Sequence, residues 1–405
     1  MNKTPRLLLL AVIPMAFMQC YYPNETDLIT EISQVDQSTL LSNDNPSSYH
    51  GKALTIGTES TNTVSENALE KVQLPQFTKE LVKGLRYQLK VLNYRKKEQL
   101  KVNGEVDPSI EKLEQTVQLL LDQQNAQIPN LSKTLDAVSL PGEDGNGSVY
   151  FTGYYTPVLK VSRVQTDEFK YPIYARPQNW VGKLPSRRQI DGDGVLKGQG
   201  LELAYTKNLL DIYFMQIQGS GIVEYPDGTN QILAFAGSNG RKYRSVGKYM
   251  IQEGYANEQN VSLKRIKKFF KENPDLIDPL LFVNESYVFF SLVKYQKTPK
   301  GAGHVPLTTE YSIAVDKRYI PIGSCLLAKV PIIDNKNRID HYDYRILIAQ
   351  DVGGAIKGPG RVDLYTGVGE KARKKASLLH HYGNLWLLEP KESESQHQPK
   401  VTASL

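Results

Sequence analysis

Cysteine is almost missing from this chain: of its 405 residues only Cys20 and Cys325 carry a thiol. That excludes a disulfide framework and any metal centre built on a cysteine cluster. The six histidines form no HExxH spacing, and the adjacent His380 and His381 point in different directions on either a helix or a strand. No metal site is expected. A GxxxxGK[ST] phosphate loop and a GxSxG nucleophile elbow are also absent, and "GVGEKA" and "GSGIVE" do not complete a dinucleotide fingerprint. No cofactor is expected either. Charge of one sign is not concentrated: 49 Lys and Arg against 43 Asp and Glu leave a net charge of +6, spread along the chain. Nucleic acid is therefore not an expected partner, whereas an anionic polymer such as cell-wall glycan fits.

What is present begins with the N-terminus. "MNKTPRLLLLAVIPMAFMQC" sets Lys3 and Arg6 before an apolar run from Leu7 to Met18, which reads as an export signal over residues 1–20. Beyond it no stretch reaches the roughly eighteen apolar residues of a membrane span. Cys20 directly follows the apolar run, as in bacterial lipoprotein processing, but Phe17, Met18 and Gln19 depart from the usual Leu–small–small pattern. Lipidation of Cys20 and plain secretion both stay open. Cys325, in the apolar run "IPIGSCLLAKV", reads as a small core residue rather than a nucleophile.

Residues 21–70 are rich in Ser, Thr, Asn and Asp without periodicity and read as a flexible tether. Residues 77–125 read as two amphipathic helices. After the Asn103–Gly104 turn, Asp107 and Pro108 supply an N-cap and a first-turn proline, and Ile110, Leu113, Val117, Leu120 and Leu121 follow at helical spacing. Beyond Val149 the texture turns to β. "VYFTGYYTPVLKVSRV" and "DIYFMQIQGSGIVEYPDGTNQILAFAG" read as strands, with Pro226-Asp227-Gly228 as a hairpin turn. A short helix capped by Ser262 interrupts and ends at Asn273-Pro274, and strands resume from "ESYVFFSLV" to about Leu388. Residues 391–405 read as a disordered tail.

The chemistry concentrates in "IAQDVGGAIKGPGRVDLYTG", which sets Asp351 and Asp363 twelve residues apart. Cleaving a glycosidic bond requires an acid that protonates the leaving oxygen, and a carboxyl in apolar company, as between Val362 and Leu364, suits that task. The ordinary alternative for Asp363 is a strand-end aspartate bonding a backbone amide. Asp351, followed by two glycines, reads as a turn or orienting residue. Asp316, followed by Lys317 and Arg318, reads as part of a charged turn at a strand end.

The strings "FTGYYTPVL", "MQIQGSGIVEYPDG", "YMIQEGY", "NESYVFF", "GAGHVPLTTEYSIAVDKRYIPIG" and "AQDVGGAIKGPGRVDLYTG" occur in this order between about residues 75 and 390. Together they resemble the membrane-bound lytic murein transglycosylase A (MltA) family. The resemblance implies a mainly β fold with flanking helices: a double-psi β-barrel catalytic domain from residues 71–157 and 292–390, interrupted by an inserted second β-barrel domain at 158–291. The glycan would lie in the groove between the barrels. Asp316, Asp351 and Asp363 match the three aspartates that give the family's 3D domain its name, here at about 305–388.

The resemblance further implies a peptidoglycan lytic exotransglycosylase, a lyase that cleaves the β-1,4 bond between N-acetylmuramic acid and N-acetylglucosamine and leaves 1,6-anhydromuramoyl ends. Asp363 matches the catalytic acid, Asp351 a supporting catalytic residue and Asp316 a further support. By motif position Thr152, Tyr154 and Gln218 would bind sugars; Tyr154 and Tyr155 alternate across a strand, so one would stack on a sugar and the other pack in the core. One acid suffices if the nucleophile is the substrate's own C6 hydroxyl: Asp363 protonates the glycosidic oxygen, then takes the hydroxyl proton as the ring closes. The implied setting is a monomer in the periplasm acting on glycan strands, anchored to the outer membrane if Cys20 carries lipid. Two alternatives remain: a non-catalytic glycan-binding or wall-loosening double-psi barrel, similar to expansins, and a muramidase using Asp351 and Asp363 as a carboxylate pair.

Overall fold

The computed structural model describes residues 68–103, 105–257, 263–334 and 336–392. The expected signal, Cys20, the tether up to residue 67, the Ser262 cap, Gly104 and the tail from residue 393 lie outside these residues, while the tether's expected last residues, Ala68–Glu70, form a 3-10 turn that buries Leu69 in the core. Among the described residues no helix is long and apolar enough to cross a membrane.

Two helices lead. α1 spans Lys79–Asn103 and α2 spans Pro108–Asp122. The second starts as its sequence dictates: the Asp107 carboxylate accepts from the amide of Ser109, and Pro108 occupies the first turn, where no amide proton is needed. Its stripe of Ile110, Leu113, Val117, Leu120 and Leu121 is buried.

Thirteen strands follow among the described residues, in two sheets. The first contains β1 (Leu135–Ser139), β2 (Val149–Thr156), β9 (Ser312–Val315), β10 (Cys325–Ile333), β11 (Ile339–Val352), β12 (Arg361–Val368) and β13 (His380–Pro390). Its order is β1-β13-β10-β11-β9-β12-β2, and β13 pairs again with β2, so all strands but β1 close into a ring. The second sheet is built from the chain between β2 and β9. Its order is β4-β5-β3-β6-β7-β8, from β3 (Val158–Ser162), β4 (Tyr171–Tyr174), β5 (Glu202–Thr206), β6 (Gly221–Glu224), β7 (Asn230–Ser238) and β8 (Val288–Lys294). A parallel bridge from Ala175 to Phe290 joins its two edges.

Period-two alternation sorts the ring's side chains into an inside and an outside. Phe151, Ile313, Val315, Leu326, Leu347, Ala349, Val362 and Leu364 form the inner core. On the outside, Cys325, Leu327, Ile346 and Ile348 receive the α1 and α2 helices. Cys325 is thus a buried core residue whose thiol burial pushes far up. The remaining outer stretch, over β2, β9 and β12, holds a small cluster of Tyr154, Leu307, Ala314, Ile356 and Tyr365.

One stretch expected as strand is a helix. Residues 211–218, read as strand, are part of helix α3 (Leu209–Gln218). Asn208 caps it through a bond from the amide of Leu210, and Gly219, at φ 79°, ends it in the left-handed conformation. Burial of Leu209, Leu210, Ile212, Tyr213, Met215 and Gln216 follows the helical period, a pattern that aromatic content masks. The hairpin after it forms as expected, β6 to β7 around Gly228 at φ 79°. Three further α-helices of the inserted segment are seen among the described residues, Val246–Gln252, Leu263–Glu272 and Ile277–Leu281 (α4 to α6), and α7 (Gly369–Leu378) separates β12 from β13.

Candidate active site

The two aspartates of the glycine-rich stretch meet at one residue. β9 lies between β11 and β12, parallel to the first and antiparallel to the second, and its Ala314 pairs with Asp351 on one side and Asp363 on the other. Asp363 also pairs with Thr152 of β2. Residues opposite one another in a ladder share a face, so Asp351, Ala314, Asp363 and Thr152 form a row across the outside of the ring. Tyr154 and Tyr365, each two residues along and paired with each other, extend the same face.

Asp351 reaches this face through a bulge. Ala349 pairs with Ile313 and Asp351 with Ala314, so Gln350 is an extra residue with no partner across the ladder. Strict alternation would send Asp351 into the ring's core beside Ala349; the inserted residue turns it outward instead. Gln350 is fully buried and its side-chain oxygen accepts from the Ser312 hydroxyl at 2.6 Å and the Thr308 hydroxyl at 3.4 Å. The segment Gly301–Gly303 lies against the bulge. The Gly303 amide donates to the Gln350 carbonyl at 2.9 Å, and a Cβ at position 301 would sit 2.5 Å from that same oxygen, so only glycine fits.

Three donors fix the Asp351 carboxylate: the Ala302 amide at 3.0 Å and its neighbour's amide, Val352, at 2.9 Å on Oδ1, and the Tyr154 hydroxyl at 2.9 Å on Oδ2. Burial raises the Asp351 carboxyl above its ordinary range against the pull of all three. Burial also holds the Tyr154 phenol protonated, reinforced by the negative charges of Asp351 and then Asp363. Asp363 itself is 7% exposed. Behind them the Tyr154 and Tyr365 rings stand 5.2 Å apart, and the Tyr365 hydroxyl shares a 2.7 Å hydrogen bond with Thr156.

The other expected residues lie differently. Thr152 is in the row, its hydroxyl turned to the Val362 carbonyl at 3.4 Å. Asp316 stands just past β9, and its carboxylate takes a fork from the Arg318 guanidinium (2.6 to 3.2 Å) and the Gly358 amide at 2.9 Å. Burial pushes this carboxyl up, but those donors outweigh it and hold it below its usual range. The strand-end turn reading fits Asp316, with the addition that it ties β9 to the loop between the other two aspartates. Gln218 comes from the inserted segment, where its side chain accepts from the Tyr155 amide at 3.2 Å, and so links the two sheets. His380 and His381 do not diverge: the His380 amide donates to His381 Nδ1 at 3.3 Å, and the ring centroids lie 4.5 Å apart, tilted by 33°.

Sequence reading missed Tyr365, the Ala302 amide and the Gln350 bulge. Tyr365 was accessible as the tyrosine of "DLYTG", two residues from Asp363 on one strand face; the other two depend on strand pairing that no local string encodes.

Two family models match this chain: the MltA specific insert domain over residues 150–291 and the 3D domain over residues 311–389. It is 40% identical over 257 residues to the membrane-bound lytic murein transglycosylase A of Escherichia coli K12, covering 63% of this chain and 69% of that protein. It is 40% identical over 269 residues to the homolog of that protein from Buchnera aphidicola, covering 65% and 72%. The crystal structure of E. coli MltA with bound chitohexaose superimposes with a TM-score of 0.66 at 32% identity, covering 79% of this chain and 92% of that one.

Proposed function

The chain belongs to the membrane-bound lytic murein transglycosylase A family, and on that premise we propose that it is a peptidoglycan lytic transglycosylase in which Asp363 alone transfers protons. The observation that carries the reading is the row on the outside of the ring, where Asp351 and Asp363 meet at Ala314 and Asp351 has both carboxylate oxygens occupied by donors from its own surroundings. A carboxylate held that way orients and stabilises. Proton transfer to the leaving oxygen then falls to Asp363, and the C6 hydroxyl of the muramoyl residue closes onto C1 as the same carboxylate removes its proton. Catalysis by one positioned acid is worth about 10²–10⁴-fold, and intramolecular attack adds the advantage of proximity. The product is a 1,6-anhydromuramoyl end.

The substrate is a glycan strand, as the chitohexaose bound to the E. coli relative supports. It lies between the closed ring, read as the double-psi barrel of residues 71–157 and 292–390, and the inserted barrel of 158–291, with Thr152, Tyr154 and Gln218 on that path. Asp316 supports by holding the loop that carries Gly358. The row is complete within one chain, so a monomer acts. The names of the relatives support a membrane-bound protein, and Cys20 with its lipid is the anchor proposed, in the periplasm at the outer membrane.

One observation favours a second reading. Strands two apart lie about 10 Å from each other, so the backbones of Asp351 and Asp363 leave room for their carboxyls to hold a water between them, as inverting enzymes do. That would make the protein a muramidase. Mass spectrometry of purified peptidoglycan after digestion separates the cases: the lytic reading gives ends about one water lighter than hydrolysed ones. Hydrated reducing ends would establish the muramidase, and no release at all would leave a glycan-binding protein.

A further inference from the structure

A cleft of about 1170 Å³ is distinct from the row of aspartates: none of Asp351, Asp363, Thr152 and Tyr154 lines it. Its wall is made by the start of α1, the middle of β11 and the loop before β9, together with Lys297 and Lys375. Three tyrosines face it, Tyr311, Tyr342 and Tyr344, of which Tyr342 is 38% exposed. Its charges are of both signs. Glu310 binds Lys375 at 2.7 Å and approaches Arg345 at 3.7 Å, and Arg345 binds Asp343 at 2.6 Å. Glu80 and Lys297, by contrast, are exposed and make no ion pair among the described residues.

The cleft is joined to the catalytic strand. Glu310 adopts φ 67°, a conformation uncommon outside glycine, and its amide donates to the Tyr365 carbonyl at 2.8 Å, two residues from Asp363. The cleft's wall is thus hydrogen-bonded to the strand that holds Asp363.

Resting on the reading of peptidoglycan as substrate, we propose that this cleft binds the peptide stem of the strand being cleaved. The sugars of that polymer are uncharged, because the lactyl carboxyl of each muramoyl residue is consumed in the amide to its stem. Carboxylates and a free amine occur only on the stems. A cleft that offers an unpaired cation and an unpaired anion beside tyrosine faces and the apolar edge of Leu74, Pro75 and Ile128 matches a short zwitterionic peptide and not a neutral sugar. Lys297 takes a stem carboxylate, Glu80 takes the diamino-acid amine, and the exposed Tyr342 covers the backbone between them.

Calorimetric titration of the full chain with a synthetic stem tetrapeptide, containing D-glutamate and a free diamino-acid amine, tests this. Saturable binding is expected, weakened at least fivefold by Lys297→Glu and retained by Lys297→Arg, with melting temperatures confirming that both variants fold. Absence of saturable binding to the unsubstituted protein, or equal affinity in Lys297→Glu, overturns the proposal. So does displacement of the peptide by chitohexaose, which would place it in the glycan groove. The readout is binding and not cleavage, so it decides the role of the cleft even if the protein releases no glycan.

Discussion

The inserted segment and the ring each bury a set of polar side chains, and the two sets are built to different ends. In the insert, Arg187 is 1% exposed and donates to the carbonyls of Asn284 and Ser286 at 3.1 and 2.7 Å, to the Gln216 side chain at 2.6 Å and to Asp191 at 3.4 Å. The rings of Tyr213 and Tyr287 lie 4.9 and 5.1 Å from it. Besides the neighbouring Asp191, the partners come from two distant stretches, Tyr213 and Gln216 in helix α3 and Asn284 to Tyr287 before β8, so the guanidinium ties that helix to the approach to β8. In the ring, Asp351 and Asp363 stand on the outer face, away from the ring's own core and in line with Thr152. A buried charge surrounded by partners on all sides holds a fold together; acids aligned on one outer face are placed to meet something else.

The sharpest way to break this contrast is Arg187→Ala. Removing one member of a buried ionic set leaves the others without their partner, and a loss of about 3–5 kcal/mol in urea unfolding is expected. A change under about 1 kcal/mol would mean that the insert's cluster is not architectural. Gln350→Leu comes next. Loss of the acceptor for Ser312 and Thr308 lets the bulge relax and Asp351 turn, and misplacement on the order of 1 Å costs about 10²-fold in turnover of peptidoglycan. The accompanying loss of stability should stay at about 1–3 kcal/mol, so a protein that simply unfolds would contradict the positioning role.

The smallest effect is a pH slope in the insert. Burial, only partly offset by Arg187, raises the Asp191 carboxyl from 3.8 to about 6. The folded state therefore binds this proton more tightly than the unfolded chain does, so the contribution is fully present below pH 3.8 and is lost as pH rises through 6. Stability should fall between pH 4 and 6, and Asp191→Asn should flatten that slope; an unchanged slope in the variant would assign it to other groups.

Legibility from sequence followed the locality of the signal. Helix α2 declared itself through Asp107, Pro108 and a clean apolar stripe, and the β6–β7 hairpin through Pro226-Asp227-Gly228, because each is specified within a few residues. Residues 211–218 misled because a short run rich in apolar and aromatic residues fits a buried strand and a buried helix equally, and only Asn208 and Gly219 arbitrate. The same divide runs through the site. The glycine-rich stretch pointed to Asp351 and Asp363, but their meeting at Ala314 depends on β9, some 40 residues upstream, and on a bulge whose only local sign is a glutamine inside an apolar strand.

Proton transfer by Asp363, with Asp351 as its support, is tested most directly by comparing Asp363→Asn and Asp351→Asn for release of muropeptides from purified peptidoglycan. The amide keeps the shape of the carboxyl but cannot serve as its acid. Asp363→Asn should melt within a few degrees of the unsubstituted protein and lose activity by about 10³-fold or more, while Asp351→Asn retains measurable release. Full activity in Asp363→Asn would contradict the account.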